Sequence, residues 1–179
     1  MEPMTADGDD IREQLQGLIA DRKVVLMGVG NVVRGDDALG VALAERIEHR
    51  VAPKVFVTHD LPEDYAVKAA DLRPDLVLVL DAMDFGGEPG DMHLVAARDV
   101  PPTPGMTHRP SLEMMAKFLE LDAGADTWVL GVQPDLSRLD LGLPLSDPVQ
   151  EALDELEALL LELLPLAQDQ CPDKRPTSD

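Results

Sequence analysis

Cysteine is nearly missing from this 179-residue chain: the single one, Cys171, stands in the polar tail DQCPDKRPTSD. It has no partner within the chain, which excludes a disulfide framework, argues for a reducing compartment and makes a thiol nucleophile a poor candidate. Basic residues are few. Fifteen Lys and Arg, only five of them Lys, stand against 35 Asp and Glu and leave a formal charge of −20. A surface this acidic repels phosphate backbones, so nucleic acid is not an expected partner. The surplus acid serves solubility first. No apolar run is long enough to span a bilayer, and no membrane partner is expected. The opening MEPMTADGDD has no basic or apolar export region, so the expected location is the cytoplasm. Also lacking are a Gly-x-Ser-x-Gly elbow, a His-Glu-x-x-His helix and a Cys pair, which removes the common serine hydrolase, zinc protease and dithiol chemistries.

What remains is an ordinary globular chain, 45% hydrophobic and of one-domain length. About 70% of the unfolded surface is buried at this size, so a core forms without staples. Residues 1–22 read as a leader and a short helix carrying Ile11, Leu15, Leu18 and Ile19 behind a possible Asp10 cap; 23–166 read as a single α/β domain; 167–179 read as a disordered tail. Val24 to Met27 is an apolar run of the kind buried on both faces. A helical pattern from Asp37 to Ile47 and a strand at Val55 to Val57 complete a βαβ unit. Pro62 starts a helix that ends before Pro74, and Leu76 to Leu80 is the strongest strand, with Asp81 directly at its carboxyl end. Met92 to Ala96 suits a short antiparallel edge strand. A proline-rich loop then leads to a helix whose Leu112, Met115, Phe118 and Leu119 share one face. Thr127 to Leu130 is the last strand, and Ser146 caps a final helix striped by Val149, Leu153, Leu156, Leu160 and Leu163. The alternation predicts an α/β three-layer sandwich: an open, mostly parallel twisted sheet of about five strands with helices on both faces. In such sheets ligands collect beyond the carboxyl ends of the strands.

The loop after the first strand carries Gly28-Val29-Gly30-Asn31, but a dinucleotide fingerprint requires a third glycine where Val33 stands. Gly30 to Gly35 has the spacing of a phosphate cradle, yet Asp36 and Asp37 stand where Lys and Ser or Thr belong. The simplest reading makes Asp36 or Asp37 the cap of the next helix. Two adjacent carboxylates exceed what a cap requires, and the surplus one can face the crevice, where it favours a cation. Asp81 adds a carboxylate from a separate strand, with Asp84 close by; its plainer reading is a turn residue. Of the histidines, His49 suits a helix carboxyl end, His59 follows the second strand, and His93 sits solvated in the edge strand. His108 differs, because it stands in the long loop before Ser111, and such loops commonly carry function. Ser111 itself is better read as a helix cap than as a nucleophile. Carboxylates and an imidazole from three separated segments suit a borderline divalent ion such as nickel or zinc.

These residues carry a resemblance. Gly28-Val29-Gly30-Asn31 with Gly35-Asp36-Asp37 and Gly40 resembles the opening motif of the nickel-iron hydrogenase maturation endopeptidases. Asp81-Ala82-Met83-Asp84 with Pro89-Gly90, then Thr107-His108, then Gly131-Val132-Gln133-Pro134-Asp135, are similar to their later motifs in the same order. The match runs from about residue 24 to 164 and is most similar to the subgroup serving hydrogenase 3 of the formate-hydrogenlyase type. It implies a protease that removes the C-terminal extension of the hydrogenase large-subunit precursor after nickel insertion. Asp37, Asp81 and His108 would be both the metal-contacting and the catalytic residues. The nickel would arrive with the substrate and act as a recognition key, completing its shell on the protease. Peptide hydrolysis would follow either an aspartate acting as general base on water or the nickel activating water or the carbonyl. The protein would work as a monomer that docks transiently on its precursor. One departure stands out: His59-Asp60-Leu61-Pro62 replaces the Gly-Gly segment the family usually has after its second strand, which bears on substrate choice.

A non-proteolytic escort that recognises nickel or a nickel-loaded partner with the same groups is the rival class. A nucleotide-binding module is the third, and the charge of the loop opposes it.

Overall fold

Continuous apolar runs make the centre of the fold. The computed structural model describes residues 8–100 and 109–167. Strands β1 (Val24–Val29) and β3 (Leu76–Ala82) are buried at every position, as expected for strands covered on both faces. β2 (Lys54–His59) and β5 (Asp126–Val132) flank them, and β4 (Met92–Ala96) closes one edge, giving the order β2-β1-β3-β5-β4. All pairs are parallel except β4 with β5. The open five-stranded α/β sheet expected from the alternation is the observed one.

Two apolar layers cover the sheet. On one face, Ile11 and Leu15 of α1 (Gly8–Ile19) join Leu39, Leu43 and Ile47 of α2 (Leu39–Ile47) and Val149, Leu153, Leu156 and Leu160 of α5 (Asp147–Leu163). On the other, α3 (Ala66–Asp71) and α4 (Arg109–Ala123) contribute Ala66, Ala69, Ala70, Leu112, Met115 and Leu119. Although α1 precedes the sheet in sequence, it belongs to the core in space, with both large apolar residues fully buried. It begins at Gly8, so Asp10 lies inside the helix and is not its cap. Phe118 departs from the face assigned to it and is 37% exposed, while Leu112, Met115 and Leu119 are buried.

Two more local expectations change. β3 does not stop at Leu80 but carries Asp81 and Ala82 within the strand, paired in register with Gly131 and Val132. Between β1 and α2 the chain makes a 3-10 turn over Gly35–Ala38, and no side chain caps either this turn or α2.

The glycines of the first loop serve close packing. A Cβ on Gly40 would stand 2.1 Å from the Leu80 carbonyl oxygen and 2.3 Å from that of Val29. One on Gly30, whose φ is +140°, would meet the Asp37 oxygen at 2.0 Å, and one on Gly35 the Arg138 oxygen at 1.7 Å. The space that a dinucleotide or phosphate loop leaves for its ligand is filled here by the chain's own backbone. That contact presses α2 onto the carboxyl ends of β1 and β3. Replacing Gly40 by Ala is therefore expected to lower folding stability by about 3 kcal/mol, because rigid backbone cannot yield to the methyl group. Urea denaturation measures it; a loss below about 0.5 kcal/mol would show that the approach is not a constraint.

Candidate functional site

The strand order reverses between β1 and β3. From β1 the chain leaves for α2 on one face; beyond β3 and β4 it enters α4 on the other. The crevice beyond the carboxyl ends of these two strands is the switch point where open α/β sheets bind ligands. Asp37 lies in the turn after β1 and Asp81 near the end of β3, so both fall at this point.

The neighbouring carboxylates have different surroundings. Asp36 is fully buried and satisfied by hydrogen bonds: Oδ1 accepts from the Ser146 amide at 2.6 Å, while Oδ2 accepts from the Ser146 hydroxyl at 2.8 Å and from the Asp135 amide at 2.9 Å. It caps nothing. Instead it ties the loop after β1 to the loop between β5 and α5, about a hundred residues away in sequence. Ser146, expected to cap α5, occupies that position but spends its hydroxyl on Asp36. Asp37 is half-buried and its charge acts on Asp81.

Asp81 is 4% exposed, and its Oδ1 has no hydrogen-bond partner among the described residues. Burial, then the charges of Asp37 and Asp60, push its pKa well above the ordinary 3.8, against a hydrogen bond from the Ala82 amide. A buried carboxylate oxygen without a donor costs free energy unless a proton or a cation reaches it. The arrangement favours a cation entering from the crevice.

Asp60 was not singled out from the sequence. It follows His59, which adopts the left-handed conformation with φ +52° beside a register shift between β1 and β2. Asn31 Nδ2 donates to Asp60 Oδ2 at 2.9 Å, fixing this third carboxylate beside the other two. The signal was available as the acid next to the Gly-Gly replacement. His59 itself is exposed.

The remaining candidates sort by position. His49 is 87% exposed and meets only Glu48, at 2.8 Å. His93 is not solvated as expected but half-buried, its ring 5.2 Å from that of Phe85. It pairs with Gly131, which pairs with Asp81, so the three lie in one row across the sheet. Met83 blocks that row: its Cε and Cβ lie 2.7 and 2.8 Å from where a Gly131 side chain would begin. Asp84 accepts from Gln133 Nε2 at 3.1 Å, and Gln133 Oε1 receives the amides of Phe85, Gly86 and Gly87 at 2.9, 3.1 and 3.1 Å. Gln133 thus shapes the turn after β3.

His108 and the side chain of Ser111 lie outside the described residues. Helix α4, described from Arg109, ends at Ala123 just before β5 starts at Asp126, so it runs antiparallel to β5. Its amino end is therefore at the carboxyl edge, on the face that Asp81 shares with Val77 and Val79. Among the described residues, no group of three or more His, Cys, Asp or Glu is arranged to hold a metal ion.

Comparison with known proteins follows this geometry. A family model described as hydrogenase maturation protease matches residues 41–163, a span that holds Asp81 and His108 and begins just after Asp37. The hydrogenase 3 maturation protease of Escherichia coli is 33% identical over 135 residues, covering 73% of this chain and 83% of that one. A putative hydrogenase maturation protease of Methanocaldococcus jannaschii is 24% identical over 153 residues, with coverages of 80% and 89%. Among solved structures, the [NiFe] hydrogenase maturation protease HycI from Thermococcus kodakarensis superimposes with a TM-score of 0.75 at 33% identity, over 84% of this chain and 98% of that one.

The two buried aspartates are expected to respond oppositely to amidation. Asp36→Asn loses charged acceptors for three donors and should destabilise the fold by about 3 kcal/mol. Asp81→Asn removes a buried acid whose ionisation the surroundings oppose and should raise the melting temperature at pH 7. The sign follows from the raised pKa: below 3.8 the parent Asp81 is protonated in folded and unfolded chains and carries no penalty, and the penalty grows as pH rises toward the folded value. The advantage of Asp81→Asn should accordingly shrink as the pH is lowered toward 4. Thermal melts across pH decide it, and a constant or inverted difference would contradict the assignment.

Proposed function

The chain belongs to the hydrogenase maturation protease family, and on that premise we propose that it is a cytoplasmic endopeptidase that removes the C-terminal extension of a nickel-iron hydrogenase large-subunit precursor once nickel is in place. One observation carries the reading: the Asp81 oxygen buried at the switch point without a partner among the described residues, with Asp37 beside it. An oxygen in that state gains most when a cation arrives. Nickel held by the precursor supplies the cation, and Asp37, Asp81 and His108 complete its shell. Because the chain contributes only part of a coordination sphere, the grip depends on the ligands that the precursor brings. Cargo and cleavage are thereby linked.

Metal entry displaces the proton that burial favours on Asp81. Hydrolysis then adds water across the scissile amide: the hydroxide joins the carbonyl carbon, the C–N bond breaks, and the proton goes to the leaving amine. A carboxylate relaying that proton and a nickel ion polarising the carbonyl both require the same two aspartates. The protein acts as a monomer, docking on the precursor for one turnover. The escort reading shares the metal grip but not the cut, and protease relatives count against it.

Incubation with purified large-subunit precursor, followed by mass spectrometry, tests the proposal. Nickel-loaded precursor should lose its extension and nickel-free precursor should not. Asp37→Asn and Asp81→Asn should each slow trimming by about 100-fold or more. Trimming of both precursor forms would remove the metal key, either variant acting at the parental rate would remove its residue, and a bound but full-length precursor would establish the escort.

A further inference from the structure

Five large apolar side chains stand exposed on the three loops around the carboxylates: Val32 and Val33 at 52% each, Leu61 at 52%, Leu136 at 57% and Leu141 at 74%. Such residues are unremarkable when scattered. These are not. The Gly142 amide donates to the Val33 carbonyl at 2.8 Å, Arg34 Nε donates to the Leu139 carbonyl at 3.3 Å, and Asn31 bridges to Asp60 in the loop of Leu61. Gly35 packs against the Arg138 carbonyl too closely for any side chain. The apolar residues are thus fixed on interlocked backbone, a preorganised surface and not a set of free loop tips.

Leu61 stands among Asp60, Glu63 and Asp64, but the stretches that carry the other four differ in charge from the rest of the chain. Residues 31–34 and 136–145 contain one acid, Asp140, and two arginines, Arg34 and Arg138, in a chain with 35 acids against 15 bases.

We infer that Val32, Val33, Leu136 and Leu141, with Leu61 opposite, form an apolar lip that grips an extended stretch of the precursor passing over Asp37 and Asp81, a stretch rich in apolar side chains and lacking acidic ones. The inference rests on the protease reading and extends it to peptide recognition. In the sheet order, Leu61 follows β2, Val32 and Val33 follow β1 with Leu141 drawn to them by the bond between Gly142 and Val33, and Leu136 follows β5, so the lip flanks Asp81 at the end of β3. Three strand spacings separate β2 from β5, about 14 Å, which about four extended residues cover. A segment held at both ends therefore crosses the carboxylates with its middle bond above them. Acidic side chains in it would face Asp37, Asp60 and Asp81 together.

Steady-state trimming of nickel-loaded precursor tests the lip with the double variant Val33→Ser/Leu141→Ser, the single variant Leu136→Ser, and Leu121→Ser as control. Leu121 is 74% exposed near the far end of α4, at the amino edge of the sheet. The double variant should raise KM about tenfold and Leu136→Ser about threefold, with kcat within about twofold of the parent and melting temperatures unchanged. Leu121→Ser should match the parent. An unchanged KM in both lip variants overturns the inference, as does a fall in kcat alone or an equal rise in KM for the control. So does a parental dimer in sedimentation that the lip variants dissolve, since a second copy would then be the occupant. If the parent itself fails to trim, the protease reading falls and the lip with it; if the parent trims and the lip variants match it, only the lip falls.

Discussion

Oδ1 of Asp81, buried without a hydrogen-bond partner among the described residues, sets the terms for the rest of this structure. A buried carboxylate normally gathers donors or is expelled toward water. Here Oδ1 does neither. The strand that carries it is hydrogen-bonded on both sides, to β1 and to β5, so its backbone is fixed. The turn after β1 is fixed as well, because Gly40 just beyond it packs against the Leu80 carbonyl. Asp36, which lies in the same turn, is committed to Ser146 and Asp135. The penalty is maintained by its surroundings, and free energy that a relaxed fold would have recovered remains available to whatever cation enters.

Two adjacent aspartates perform separate tasks because of the helix type that holds them. A 3-10 turn advances about 120° per residue, so successive side chains leave in distinct directions. Asp36 reaches inward to the loop before α5, while the charge of Asp37 bears on Asp81. The tether and the site are therefore coupled. The loop that Asp36 ties down also carries Leu136 and Leu141, so a contact deep in the protein orders both the carboxylates and the apolar surface beside them.

Much of the fold was legible in the chain because it is written locally. Unbroken apolar runs identify β1 and β3, the glycine-rich turn before Met92 identifies β4, and the stripe of α5 from Val149 to Leu160 is buried as its spacing requires. What was not legible depends on partners far away in sequence. Nothing near Asp36 announces Ser146, 110 residues on, and so a structural tether reads as a helix cap. Phe118 has the spacing of a core residue, yet it stands 37% exposed on α4. His93 reads as a solvated edge residue until Phe85 is seen against it. Asp60 hides for another reason: its position in the crevice follows from the left-handed backbone of His59, a conformation unusual for histidine.

That left-handed residue bears on how the family pattern is met. Relatives are expected to have glycine after the second strand, and glycine adopts positive φ at little cost. His59 adopts it too, so the turn is kept while its composition changes. The physical requirement is the path of the backbone, which returns the Gly30 amide to the His59 carbonyl at 3.1 Å and locks the two loops at the crevice together. With the path preserved, the side chains that follow are free to differ, and here they are a carboxylate facing the site and a leucine facing solvent. A loop of bare backbone offers a precursor only hydrogen bonds. One that displays Asp60 and Leu61 offers charge and apolar area as well, so the substitution acts on what the crevice accepts and leaves the scaffold around Asp81 intact.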